Sequence, residues 1–250
     1  RPSLDGDAGV AAPDAGGGSV LETVGGTVDG VYPLGDALLI RAGRYLHLVD
    51  SAGNGLARYR GEAIVALVGE RDAIEAIEEC YRLGWSDGLP VVPPADYKVR
   101  EMLEYVGMTG EEELLSFDMR RRVLTSENVA ANAVMAGCLP EYFPVLVTTL
   151  RALEEEKNFV NMAASSTSSP AMLMVINGPI RHQIGVNFKD GIFGPGFRAN
   201  SCLGRAVRLS FMNGFDARPG ILDRGTLGNP SKYTLCIAEN EEDSPWEAMH

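Results

Sequence analysis

The sequence is short of positive charge and of metal-binding side chains, and each shortage argues against a class of function. Against 34 Asp and Glu it has 22 Lys and Arg, which gives a formal net charge of −12. A nucleic-acid partner is therefore not expected, because phosphate binding needs clustered Lys and Arg. The few cysteines (Cys80, Cys138, Cys202 and Cys236) are scattered, without the close Cys or His pairs of a zinc site, so no metal is predicted.

Long apolar runs are also missing. No stretch approaches the ~20 apolar residues that cross a bilayer, so no membrane partner is expected. The N-terminal region lacks the basic and apolar segments of a secretory signal. Together with the few dispersed cysteines, these features predict a cytoplasmic protein with free thiols.

What the sequence does contain is typical of a globular protein. Of its 250 residues, 45% are hydrophobic and 22% charged, which is enough to build a core. Residues 1–20 are rich in Gly, Ala, Pro and Asp and are predicted to form a flexible arm. Residues 21–70 show short strand and turn patterns and predict a small β-rich unit, and residues 71–250 predict the main α/β domain.

Helical and strand patterns alternate in the main domain. Helical periodicity appears in 71–84, 96–107, 125–138 and 140–157. Two apolar runs, "AMLMVIN" and "YTLCIAEN", predict paired strands, and a helix beginning near Ser201 lies between them in the sequence. The fold class predicted is α/β or α+β: a mixed C-terminal sheet with several helices, preceded by a small antiparallel β unit.

The stretch "GIFGPGFRANSC" places a glycine-rich loop before a helix. Gly194 and Gly196 permit a close backbone approach, and Arg198 offers paired donors suited to a carboxylate or phosphate. Asn200 or Ser201 would cap the helix, whose exposed N–H groups attract negative charge. The loop is therefore a candidate anion-binding site. A tight structural turn with an ordinary cap fits the same residues equally well.

Cys202 lies in the first turn of this predicted helix, beside Arg198. A thiol at a helix N-terminus next to a cation is expected to have a lowered pKa and to be a good nucleophile. We therefore take it as a candidate catalytic residue. The alternative is that Cys202 is a small buried hydrophobic side chain.

Other candidates flank the last predicted strand and a proline-rich turn. Lys232 and Tyr233 precede the strand, and Glu239 follows it at an end where α/β sheets bind ligands. Glu239 or Lys232 is expected to transfer a proton, and Tyr233 either to orient the substrate or to donate. A solvated acidic tail is the alternative for the glutamate. In "GWSDGLPVVPP", Asp87 either contacts a substrate or caps the turn.

Five segments together resemble a poorly characterised bacterial family: "GWSDGLPVVPP", "NAVMAGCLPEYFPVL", "NGPIRHQIGVN", "FGPGFRAN" and "GNPSKYTLCIAENEEDSPWE". Members of that family occur beside, or joined to, a domain with a U-G-S-C motif, in which U is selenocysteine or cysteine. That motif is similar to one in reductases that cleave carbon–heteroatom bonds. This chain has no such motif, so the resemblance implies that the redox element is missing or lies on a second protein subunit.

These features predict an enzyme, or the substrate-binding subunit of one, that acts on a small anionic organic molecule. Carbon–heteroatom bond cleavage, as a lyase or by reduction, is the chemistry favoured, and an oligomer is expected; the residues point to no particular cofactor. The alternative is a non-catalytic structural subunit of a hetero-oligomeric complex. Convergence of the glycine loop, Lys232 and Glu239 on one cavity would favour the enzyme, and their separation would favour the structural subunit.

Overall fold

The computed structural model describes residues 30–34, 37–42, 45–50, 55–60, 63–67, 73–158 and 166–247. Within them, helices combine with small antiparallel and parallel sheets, so the predicted mixed α/β class is confirmed. The arm predicted at residues 1–20 lies outside the described residues. None of the helices in the described part of the chain is both long and apolar enough to cross a membrane.

The N-terminal strands form an antiparallel sheet in sequence order, as expected for strands joined by short connections. Its strands are β1 (Gly30–Leu34), β2 (Ala37–Ala42), β3 (Tyr45–Asp50), β4 (Gly55–Arg60) and β5 (Ala63–Leu67). This sheet is not isolated from the helices, because Leu48 of β3 belongs to the hydrophobic core that also contains the buried residues of the helices.

The helices surround and fill that core. They are α1 (Ala73–Arg82), α2 (Asp96–Val106), α3 (Ser126–Ala136), α4 (Phe143–Glu155), α5 (Ile180–Gln183) and α6 (Arg198–Phe215). Helix α3 is buried along its whole length and packs against α6. Because α3 consists mostly of Ala, Val and Asn, it presents small side chains on every face and can be enclosed by its neighbours.

Two further strand pairs complete the fold. Strands β6 (Glu113–Phe117) and β7 (Arg122–Thr125) form an antiparallel pair that leads into α3. Strands β8 (Met174–Ile176) and β9 (Cys236–Ala238) pair in parallel. The two C-terminal strands predicted from apolar runs are thus confirmed as partners, and α6 lies between them in the sequence.

Helix α6 begins three residues earlier than expected. Its first residue is Arg198 and its N-cap position is Phe197, which makes no side-chain capping bond. The predicted caps, Asn200 and Ser201, are therefore wrong: both lie inside the first turn. As a result, the glycine loop leads directly into Arg198.

Candidate functional site

The glycine loop is an open, exposed turn. Gly191 and Gly196 have φ values of 71° and 118°, in the left-handed region that favours glycine. The Gly194 N–H donates to the Gly191 carbonyl at 2.6 Å, so this amide is already used within the turn. This internal hydrogen bond is what a tight structural turn would show, but the loop is also exposed and therefore accessible to a ligand.

Arg198 ties the start of α6 to the end of α3. Its Nε and Nη2 atoms donate to the Gly137 carbonyl at 3.0 and 2.9 Å. Gly137 has a φ of 86° and ends α3, where unpaired carbonyls carry partial negative charge. One edge of the guanidinium is thus occupied by the protein itself, which leaves less of it for an external anion.

Asn200 and Ser201 also make internal contacts. The buried Asn200 amide accepts from the Asn187 N–H at 2.8 Å and donates to the Asn187 and Cys236 carbonyls, both at 3.1 Å. The Ser201 carbonyl accepts from Thr234 Oγ1 at 2.8 Å. Both residues hold α6 against the segment that leads into β9.

The predicted lowering of the Cys202 pKa is wrong. Burial raises the pKa of this half-buried thiol above its ordinary value, and the opposing effect of Arg198 is smaller. Desolvation of the thiolate therefore outweighs the nearby cation. Burial likewise raises the pKa of Cys138, which follows Gly137. Neither cysteine has the activated thiolate of a nucleophile.

Asp87 is a structural anchor. Its side chain is 4% exposed and forms two hydrogen bonds of 2.8 Å with Arg205 of α6. Its Oδ1 atom also accepts from the Leu89 N–H at 3.1 Å, which is the turn-capping contact given above as the alternative. The proline-rich turn is thereby held on α6.

Glu239 belongs to an internal network at the end of β9. Its carboxylate accepts from the Asn177 side-chain amide, and its carbonyl accepts from Arg181 Nη1 at 2.7 Å. The buried Arg181 also pairs with Glu241 and Glu242. Its hydrogen bond to Glu242 is the main reason that the pKa of this carboxyl falls to about 2. The C-terminal acidic run is therefore held by an arginine that sequence reasoning missed.

Lys232 lines a pocket of about 150 Å³ on the opposite, N-terminal side of the β9 segment. Apolar side chains from α4, from α6, and from the start of β8 and the residues just before β8 and β9 form most of its wall: Leu153, Met172, Met174, Val207, Phe211 and Leu235. The polar side chains that line it are Arg208, Asp223, Ser231 and Lys232. A few charged groups thus stand at the edge of an apolar space, as in many small-molecule sites.

Asp223 is the centre of the charged group. It is 7% exposed and accepts from Lys232 Nζ at 2.8 and 2.7 Å, from Arg208 Nη2 at 3.1 Å and from the Gly225 N–H at 3.1 Å. Burial alone would raise the pKa of Asp223, but the hydrogen bonds from Lys232 and Gly225 lower it overall. Two cations around one carboxylate leave an excess of positive charge in the pocket.

Arg208 carries hydrogen-bond donors that are still available to a ligand in the pocket. Within the described residues, its only side-chain hydrogen bond is the one to Asp223. Its side chain is 18% exposed and lines the pocket, so its remaining N–H groups can bind a ligand. Sequence reasoning missed both Arg208 and Asp223, because nothing in the sequence shows that α6 and the 223–232 segment meet.

The candidate residues therefore do not converge on this pocket. Lys232 lines the pocket, whereas Gly194, Gly196, Arg198, Glu239 and Asp87 do not. Tyr233 has an exposed side chain and does not line it either. Within the part of the chain that the structure describes, no group of three or more His, Cys, Asp or Glu could hold a metal ion.

Comparison with known proteins gives no match. No protein-family model matches the chain, and no curated protein or solved structure is significantly similar to it. The function proposed below is therefore based on the residues and their geometry.

Proposed function

We propose that this chain is an enzyme, or the substrate-binding subunit of one, and that it binds a small organic anion in the pocket lined by Arg208. The supporting observation is a guanidinium with unused donors at the edge of an otherwise apolar space. A guanidinium binds planar carboxylates and phosphates through paired N–H donors. The glycine loop is a less favoured place for the anion, because Arg198 is already bound to Gly137.

The size of the pocket limits the ligand. An apolar cavity of about 150 Å³ is large enough for a molecule the size of benzene. The apolar wall favours a short hydrocarbon or aromatic body, and the excess cation favours a single anionic head group. We therefore propose small aromatic or aliphatic carboxylates, or the corresponding phosphates, as the ligand class.

Lys232 is the group that we propose for proton transfer. Its ammonium is fixed by both oxygens of Asp223 at the wall of the pocket, where it can donate a proton to a departing heteroatom. This geometry suits the proposed carbon–heteroatom bond cleavage. Roles for Tyr233 and Glu239 stay predictions, as do the second subunit implied by the family resemblance, an oligomeric state and a cytoplasmic location.

The experiment is a binding titration with benzoate, hexanoate and phenyl phosphate, and with the uncharged benzamide. We expect Arg208→Met to lower the affinity for the anions by tenfold or more (about 1.5–3 kcal/mol for a hydrogen bond to a charged group) and to leave benzamide unaffected. Arg224→Met is the matched control, because Arg224 is an exposed arginine that does not line the pocket. Equal anion binding by wild type and Arg208→Met would contradict the proposal.

The structural-subunit alternative is favoured by the separation of the candidate residues, because the glycine loop and Glu239 do not line the pocket that Lys232 lines. Phe193 of the glycine loop is 70% exposed and would be available to a partner. This alternative gains if none of the anions binds and the chain co-purifies in a fixed ratio with a second polypeptide.

A further inference from the structure

Ser169, next to the pocket wall, has an unusual backbone conformation. Its φ is 58°, in the left-handed region that non-glycine residues rarely adopt. It also precedes Pro170, and a residue before proline prefers an extended conformation. Strain of this kind persists only where the surrounding structure imposes it, and it concentrates at ligand-binding and switching segments.

The hydroxyl of Ser169 is the second anomaly. The residue is 6% exposed, and its Oγ atom makes no hydrogen bond within the described residues. A buried hydroxyl without a partner destabilises the fold. Strain and an unused hydrogen-bond donor thus coincide at one residue.

The neighbouring carboxylate cannot accept from this hydroxyl. A Cβ added at Gly225 would lie 2.0 Å from Ser169 Oγ and 3.2 Å from Asp223 Oδ1, so the hydroxyl and the carboxylate flank the same glycine. Each oxygen of Asp223 already accepts two hydrogen bonds, from Lys232, Arg208 and Gly225. A carboxylate oxygen with two donors has no lone pair left for a third.

Neighbours of Ser169 line the pocket. Pro170, which follows Ser169, and Asp223, which shares Gly225 with it, both line the pocket, whereas Ser169 itself does not. Because Pro170 and Asp223 both lie on the pocket wall, a change of the Ser169 backbone from the left-handed to the extended region would allow its hydroxyl to reach that wall. The positive charge of Arg208 on that wall would hold the acceptor that the hydroxyl lacks.

We propose that Ser169 is a positioning residue for the ligand: when an anion occupies the pocket, Ser169 leaves its left-handed conformation and donates its hydroxyl to one anionic oxygen, while Arg208 binds another. This inference rests on the proposed function. The inference adds to that function the requirement that the ligand's head group has at least two oxygens that can accept hydrogen bonds. Binding then relieves the strain and satisfies the hydroxyl together, which favours the bound conformation.

The test compares Ser169→Gly, Ser169→Ala and Ser169→Thr by melting temperature and by benzoate titration. Glycine adopts the left-handed conformation without strain and has no hydroxyl, so we expect a higher Tm and an affinity about tenfold lower. Alanine should lose affinity by a similar factor. Threonine keeps the hydroxyl but is β-branched, so we expect a lower Tm with affinity retained. Ser168→Ala, at the exposed neighbouring serine, is the control and should bind as wild type.

Stability and affinity are thus expected to change in opposite directions, which a merely structural serine would not produce. Hydrogen exchange of residues 166–171 should also change on addition of benzoate in wild type and not in Ser169→Gly. Unchanged affinity in Ser169→Gly and Ser169→Ala would overturn the inference and leave the proposed function standing. A lower Tm in both would overturn it too, because the hydroxyl would then be bonded in the free protein. If wild type binds no anion, the proposed function fails and this inference fails with it.

Discussion

Cys202 shows how burial and a neighbouring charge compete at a single residue. Burial raises the pKa of its thiol above the ordinary value of 9.0, and Arg198 opposes that rise. We therefore predict that the rate of iodoacetamide alkylation at Cys202, followed by peptide mass spectrometry, has a higher pH midpoint in the folded protein than in the urea-unfolded protein. In Arg198→Met the midpoint should move higher still, because the opposing cation is removed.

The urea-unfolded protein is the reference for this measurement. There the midpoint should fall to that of a solvated cysteine. A midpoint below that of the unfolded protein would mean that the thiolate is stabilised in the fold. The original expectation of an activated Cys202 would then be restored.

The polar candidates near α6 show what residue type alone cannot predict. Arg198, Asn200 and Asp87 were predicted to bind substrate, but the partners that their side chains contact are in the chain: a helix-end carbonyl, two backbone segments and Arg205. A buried backbone carbonyl and a ligand carboxylate present the same kind of acceptor to a guanidinium or an amide. The distinction depends on which segments meet, and a local motif does not contain that information.

At the scale of elements, Gly204 sets the distance between α6 and the strand segment before β9. A Cβ at this position would lie 2.5 Å from Thr234 Oγ1 and 2.6 Å from the Leu235 backbone nitrogen. We predict that Gly204→Ala lowers the free energy of unfolding by about 1–3 kcal/mol through overpacking. This loss exceeds the gain in helix propensity, which is about 1 kcal/mol at most.

The measurement is denaturant unfolding, with Ser201→Ala in the same helix as the control. Ser201 contributes its carbonyl and not its side chain to the contact with Thr234, so this variant should retain its stability. Because Gly204 and Leu235 both line the pocket, Gly204→Ala should also weaken benzoate binding. A stabilised Gly204→Ala protein would show that the two segments separate readily.

The elements themselves were predictable where the local signal was strong. Gly137 ends α3 in the left-handed conformation, and the apolar runs of β8 and β9 identified two strands that do pair. The start of α6 was misplaced because Asn200 looks like a cap, although its side chain is needed to bridge Asn187 and Cys236. Local capping preference yielded to a tertiary contact.

At the scale of the molecule, a strongly acidic chain places several of its arginines inside. Arg181, Arg205 and Arg208 have side chains 3%, 16% and 18% exposed, and each pairs with Asp or Glu. The net charge of −12 predicts the character of the surface but not these interior pairs. The pocket was missed for that reason: its positive charge is a local excess within an acidic protein.

Hydrogen bonds to carboxylates, from backbone N–H groups as well as from arginines, determine how the protein responds to acid. Backbone N–H donors, first that of Thr109, lower the pKa of Glu112 to about 2 from an ordinary value of 4.5, and Arg181 lowers that of Glu242 to about 2. A carboxyl whose pKa is lower in the folded state stabilises the fold above its unfolded pKa, and this contribution is lost as the pH falls through the folded value. We therefore predict that the free energy of unfolding is nearly constant from about pH 7 to 5 and falls between about pH 4.5 and 2. Glu112→Gln removes this charge, so it should be less stable than wild type at neutral pH and its stability should decline less steeply in acid. Glu104→Gln, at an exposed glutamate of α2, is the control and should follow the wild-type curve. An acid decline as steep in Glu112→Gln as in wild type would mean that the loop at Thr109 does not hold this carboxylate.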